Sequence, residues 1–217
     1  LFQLPLSITA HQQFHLLSGK LHNIRSNNDK DIWNFNWGSS LNMTMMFYNF
    51  LLRNEDAVIT FKWIWKSCCL PKHKFFCWLH LHDRINTCDL LTRKNMHLDS
   101  TQCVLCDAED YEDRIHLLFS CPFSQGFWWN IGLEWNNDLN IHDMIIEAHQ
   151  RYKLHHFMEI LIIGCWSIWN QRNGLIFEGI PCSINDCRYE FIKTFKLTML
   201  RAKPSLKDGM SSWIDNI

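Results

Sequence analysis

The sequence predicts a mainly α-helical domain clamped by a small loop of three cysteines and one histidine, with one short strand or hairpin near the N-terminus. Two observations predict it. From Phe61 onward apolar residues recur at three- and four-residue intervals, the spacing of helices with one buried side. In the middle of that series Cys103, Cys106, His116 and Cys121 fall within nineteen residues, where no apolar stripe runs.

Taken in order, residues 1–31 read as an irregular polar segment, with Ser26, Asn27, Asn28, Asp29 and Lys30 as a loop or linker. Trp33, Phe35 and Trp37 alternate with polar residues, which suits a short half-buried strand. Gly38-Ser39-Ser40 interrupts it. Met43, Met46, Phe47, Phe50 and Leu51 then give helical spacing from Asn42 to Arg53, with Ser40 or Asn42 as the cap. Phe61, Ile64 and Trp65 predict a helix that stops before Pro71, because the residue preceding proline avoids helical backbone angles. A second helix starts between Pro71 and Lys74 and turns Phe75, Phe76, Trp78, Leu79 and Leu81 towards a core. Thr87 suits the N-cap of a third, which carries Leu90 and Leu91 inward. After Cys121, the spacing of Phe123, Phe127 and Trp128 predicts a helix beside the cysteines. Another runs from Ile141 to His149. A nearly all-apolar one from His155 to Asn173 ends at Gly174, and a last amphipathic one from Ser183 to Arg201 buries Phe191, Phe195 and Leu200. The expected organisation is residues 1–31, a central domain over 32–135 and a helical extension over 136–217.

Composition narrows the function classes. With 217 residues, 47% of them hydrophobic, the chain has material for a real core and is not wholly disordered. Met158–Trp169 is the most apolar run and is too short to span a bilayer, which takes about 20 residues, so no membrane role is expected. Ten cysteines raise the question of a disulfide scaffold. The opening LFQLPLSITAHQQF has no charged segment followed by an apolar one, so no secretory signal is read. The absence of an initial Met suggests a chain cut from a longer reading frame. The expected setting is intracellular, with the nucleus as the candidate compartment, and not secreted.

Cys103-x2-Cys106 forms a tight turn that aims two sulfurs at one point. A helix starting near Glu112 is expected to turn His116 and Cys121 to one side and complete the set. Three thiolates and an imidazole are the soft and borderline ligands that Zn2+ takes in tetrahedral array. With four protein ligands no position stays open for water, so the metal is expected to be structural. Cys68 and Cys69 are adjacent, which is awkward for one ion, and Cys77 and Cys88 lie on apolar faces.

Formal net charge is −1, yet the charge is uneven. Between Lys62 and Lys94 seven Lys and Arg face two acids, a local charge of +5, whereas Asp99–Asp113 holds six acids and no Lys or Arg. Basic residues interleaved with aromatics are the footprint of phosphate contact with base stacking, and equally of a solvated helix face paired in part with the acidic loop. Lys72, Lys74, Arg84, Arg93 and Lys94 are the candidates for nucleic-acid contact.

Trp65, Lys66, Pro71, Lys74, Phe76, Trp78, Arg84, Thr87 and Leu91, followed by Cys103, Cys106, Glu112, His116 and Cys121, together resemble the zinc-binding domain of plant non-LTR retrotransposon reverse transcriptases. IWNQRNGLIFEG, from Ile168 to Gly179, is similar to a block that follows this domain in such elements. Leu118 stands where the family more often has Phe. The resemblance implies a zinc-stabilised region of a retroelement polyprotein that grips RNA or DNA without strong sequence preference and catalyses nothing by itself. The alternative is a structural domain that docks against the polymerase and ribonuclease H domains of the parent polyprotein. An enzymatic reading would need a zinc-bound water with Glu112 as base, and four protein ligands leave that water no place.

Overall fold

The computed structural model describes residues 7–22, 44–52, 58–106 and 110–217. They divide into two compact units, residues 1–55 and 56–217. The expected strand at Trp33–Trp37 lies outside the described residues, as do the candidate caps Ser40 and Asn42. Among the described residues there is no sheet, and the one strand-like pairing is an isolated antiparallel bridge between Gln102 and Tyr111.

The first unit holds α1 (Ile8–Leu21) and α2 (Thr44–Leu52). Helix α1 corrects the reading of residues 1–31 as irregular. The Ser7 hydroxyl accepts the Ala10 N–H at 3.2 Å and caps the helix. None of its residues is buried, which is why no apolar stripe announced it.

In the second unit α3 (Ile59–Lys66) gives way to an extended Ser67, and α4 (Pro71–Leu81) starts with Pro71 in its first turn. Proline is favoured there because its missing N–H would have had no helical partner. The buried side of α4 differs from the one expected: His73, Phe76, Cys77, His80 and Leu81 point in, while Phe75 is 52% exposed. Positions 73, 76–77 and 80–81 are one helical stripe, and two histidines hid it. Helix α5 (Cys88–Arg93) follows Thr87, whose hydroxyl is buried and makes no cap bond.

After the cysteine-rich loop come a π-helical turn (His116–Ser120), α6 (Pro122–Asn130), α7 (Ile141–Tyr152), α8 (Phe157–Glu178), α9 (Ile184–Met199) and α10 (Pro204–Ile214). Helix α8 is the axis of the unit. Twelve of its residues are buried, and a helix apolar around its whole circumference must be covered on all sides. It packs against α3, α4, α9 and the π-turn. It does not stop at Gly174. It runs on to Gly179, whose φ of +66° closes it with an Ile180 N–H bond to the Gly174 carbonyl at 3.1 Å. Gly164 matters differently: a Cβ there would sit 2.3 Å from the Trp128 ring, so only glycine lets that ring lie against α8. In α9, capped by Ser183, Phe191 and Phe195 are buried as expected, but Leu200 is 72% exposed and the chain continues into α10. Among the described residues no helix is long and apolar enough to cross a membrane.

Candidate metal centre

The loop leading to α6 is built as a short pinned hairpin. The Cys103 N–H donates to the Asp110 carbonyl at 2.8 Å, and the Glu112 N–H to the Thr101 carbonyl at 3.0 Å. Cys103 and Cys106 lie on its first arm, and His116 and Cys121 lie beyond its second. In an α-helix, residues five apart point about 140° away from each other, so the expected regular helix from Glu112 would not have paired His116 with Cys121. The chain solves this with a different turn. Asp113 accepts the N–H groups of Ile115 and His116, both at 2.7 Å, and starts the helix at Arg114. From His116 the backbone widens into a π-turn whose Cys121 N–H reaches the His116 carbonyl, five residues back, at 2.7 Å. That extra residue per turn swings the Cys121 sulfur round to His116.

Widening leaves carbonyls to satisfy. Pro122 has no N–H to offer Leu117, and the Ser124 hydroxyl takes that carbonyl instead at 2.5 Å. The Trp128 indole donates to the Leu118 carbonyl at 2.6 Å. Both donors come from α6, and Trp128 is the ring that fits over Gly164 of α8.

Four ligand atoms, one each from Cys103, Cys106, His116 and Cys121, all lie within 4.8 Å of one another. Bonds of about 2.3 Å to sulfur and about 2.0 Å to nitrogen at tetrahedral angles would place two sulfurs about 3.8 Å apart, and a sulfur and a nitrogen about 3.5 Å apart. The Cys103 and Cys121 sulfurs are 3.8 Å apart, and the Cys106 sulfur lies 3.4 Å from His116 Nε2. The donor set therefore fits a zinc ion in kind, number and spacing. Cys103, Cys121 and His116 are buried. The bond donated by the Cys103 thiol holds the Cys121 thiol below its ordinary value against the opposing effect of burial, and the Ser124 and Phe123 N–H groups at the start of α6 add to it. The same bond, with burial, pushes the Cys103 thiol up. On the far side of the His116 ring, Nδ1 faces an Asp110 carboxylate oxygen at 3.8 Å, beyond hydrogen-bond distance, while Nε2 is turned to the cysteine sulfurs.

Residues 42–128 match the family model described as zinc-binding in reverse transcriptase. The chain carries a reverse transcriptase zinc-binding domain. No curated protein and no solved structure matches the chain. The family match and the Cys3His cluster together identify structural Zn2+ as the cofactor of this retroelement domain.

Two residues that anchor the zinc-binding domain were not recognised as such from sequence. Glu112 is fully buried. Its carboxylate accepts the Cys88 N–H at the start of α5 at 3.1 Å and bonds the Arg172 guanidinium of α8 at 2.8 and 3.3 Å. The pair is 5% and 0% exposed. Glu112 is thus the strut that ties the metal hairpin to two helices, sixty residues apart in sequence in the case of α8. Arg114 does the same towards α4, donating to the His80 and Leu81 carbonyls at 2.7 and 2.9 Å. Those carbonyls close the last turn of α4, where the His80 carbonyl also accepts the Asp83 N–H at 3.0 Å.

The five basic candidates divide. Lys72 and Lys74 stand at the first turn of α4. Arg84, Arg93 and Lys94 surround the turn after it, about 16 Å along the helix axis. Arg93 is held by Asp83 at 2.6 Å and Asp89 at 2.7 Å, and so brings no net charge. Lys94 bonds the Asn86 side chain, and Lys74 the Trp65 carbonyl at 3.1 Å. Lys72 lies over the Trp166 ring, 5.5 Å from its centre. Among the described residues, neither Lys72 nor Arg84 has an ion pair, and both are exposed.

Proposed function

We propose that the chain is a zinc-stabilised module that holds RNA or DNA for a retroelement reverse transcriptase polyprotein of the plant non-LTR kind, and that it catalyses nothing by itself. The observation that carries this reading is the cationic surface on α4 and its following turn, with Lys72 and Arg84 exposed and uncompensated and the Phe75 ring exposed between them in sequence. Such a surface contacts phosphates and offers a ring to a base. In this reading Cys103, Cys106, His116 and Cys121 are the zinc ligands and do no chemistry. Glu112, the acid the sequence offered as a base beside the metal, is committed to Arg172.

The test is binding of a fluorescent single-stranded RNA or DNA 20-mer over a range of salt. The K72A/K74A/R84A variant is expected to bind more weakly, with the slope of log affinity against log salt reduced by about 2. Unchanged binding, or wild-type binding indifferent to salt, overturns the reading.

Docking against neighbouring polyprotein domains is the second reading, favoured by the exposed Ile176, Phe177 and Ile180 at the end of α8. It predicts that the same triple variant keeps its partner.

A further inference from the structure

A second cationic region lies at the C-terminal end of α3. The end of that helix, His155 in the turn before α8 and the start of α10 enclose an open cleft of about 630 Å³. Lys66, Arg201 and Lys203 line it, joined by His155 and Ser205 and by Ser67, whose hydroxyl is committed to the Ile64 carbonyl at 2.8 Å, and no acid is among its lining residues. Three features suit it to an oxyanion. The Arg201 Nε donates to the Cys68 carbonyl at 3.2 Å, which fixes the plane of the guanidinium and leaves its terminal nitrogens to make the paired bonds a phosphate accepts. Lys66 and Lys203 are exposed and, among the described residues, have no ion pair. Lys203 is also the N-cap of α10 and gives it no side-chain oxygen; Pro204 has no N–H and the Leu206 N–H is taken by the Lys203 carbonyl at 2.9 Å, so the Ser205 N–H is the first-turn donor left to the cleft. Glu159, behind the floor, opposes this, but it is buried and its carboxylate faces the Cys68 N–H at 2.8 Å.

The cleft adjoins the interface already described. Lys74 bonds the carbonyl of Trp65, the residue next to Lys66, so the cationic surface runs from the first turn of α4 into the cleft. We propose that this cleft seats a backbone phosphate of the nucleic acid, so that the strand passes from the zinc-binding domain onto helices α9 and α10 outside the matched segment. The proposal rests on the nucleic-acid reading above and extends it to residues that the family match does not include.

The experiment uses the full chain and a fluorescent single-stranded RNA 20-mer, with inorganic phosphate as competitor. The K66A/K203A variant is expected to bind about tenfold more weakly and to lose about 1.4 from the salt slope. K193A/K196A, which removes two lysines of α9 that do not line the cleft, one of them paired with Glu190, is expected to stay within about twofold of wild type. Inorganic phosphate should compete poorly, because one free anion lacks the neighbouring contacts along α4. Circular dichroism checks that each variant is folded, and K66Q/K203Q replaces the alanine pair if helicity is lost. Equal losses in the two pairs, no loss in K66A/K203A, or full displacement by millimolar phosphate overturns the proposal. If K72A/K74A/R84A weakens binding and K66A/K203A does not, the cleft fails alone. If wild type binds nothing, both readings fail.

Discussion

Twelve residues of α8 are buried, and nine of them are apolar or glycine: Phe157, Met158, Ile160 to Cys165 and Ile168. Between Thr101 and His116 the buried residues, among those described, are Cys103, Leu105, Glu112 and His116. One of those four is a plain hydrocarbon. A burial that removes apolar surface from water contributes about 25 cal/mol per Å², and α8 has such surface on every side. The hairpin does not. It is closed by a metal cluster, by an ion pair and by side chains that reach helix ends, and none of these works unless its partner is in place. The helix would tolerate exchanges of similar volume; the hairpin tolerates few, because removing one partner leaves the other buried and unsatisfied.

The sharpest way to break this contrast is at Glu112. In E112A the Arg172 guanidinium stays buried without its carboxylate, and the expected loss is about 3–5 kcal/mol in denaturant unfolding. E112L/R172M, which removes both charges, should recover much of it. If the double variant is as unstable as E112A, the strut is not what Glu112 supplies.

A smaller effect sharpens the contrast from the α4 side. His80 is buried, with neither ring nitrogen partnered, and burial first, then the Arg114 and His142 charges, lower it to about 3. The unfolded state therefore takes up the proton first. Stability is full above the unfolded value of about 6.5 and falls as the pH drops towards the folded one. At pH 5 His80 alone should contribute a slope of about 1.3 kcal/mol per pH unit. H80L is expected to be nearly neutral at pH 7 and to flatten the acid limb by that amount in denaturation curves at pH 7, 6 and 5. An unchanged limb would place the acid sensitivity elsewhere.

What could be read in the sequence follows the same division. The four metal donors lie within nineteen residues, and a ligand set that local can be read from its spacing. Apolar periodicity located α3, α4, α6, α7, α8 and α9 because their buried sides are stripes. It misplaced Phe75 and Leu200, where an apolar side chain faces water, and it missed the histidines that fill the stripe of α4. Helix α1 gave no stripe because it buries nothing. The π-turn could not be anticipated from helical geometry, since it exists to correct a five-residue spacing that an α-helix would misdirect. The Glu112–Arg172 pair joins positions sixty residues apart, and only the resemblance of both stretches to known elements hinted that either residue mattered.

Hydrogen exchange before and after zinc removal by a chelator tests the division of labour most directly. The amides of the hairpin and of the π-turn, from Thr101 to Cys106 and from Asp110 to Cys121, should lose protection with the metal, and C103S should match the chelated state. The amides of Ile160 to Cys165 in α8 should stay protected, held by their own apolar burial. If the hairpin stays protected without zinc, or if α8 opens together with it, the metal is not the local clamp described here.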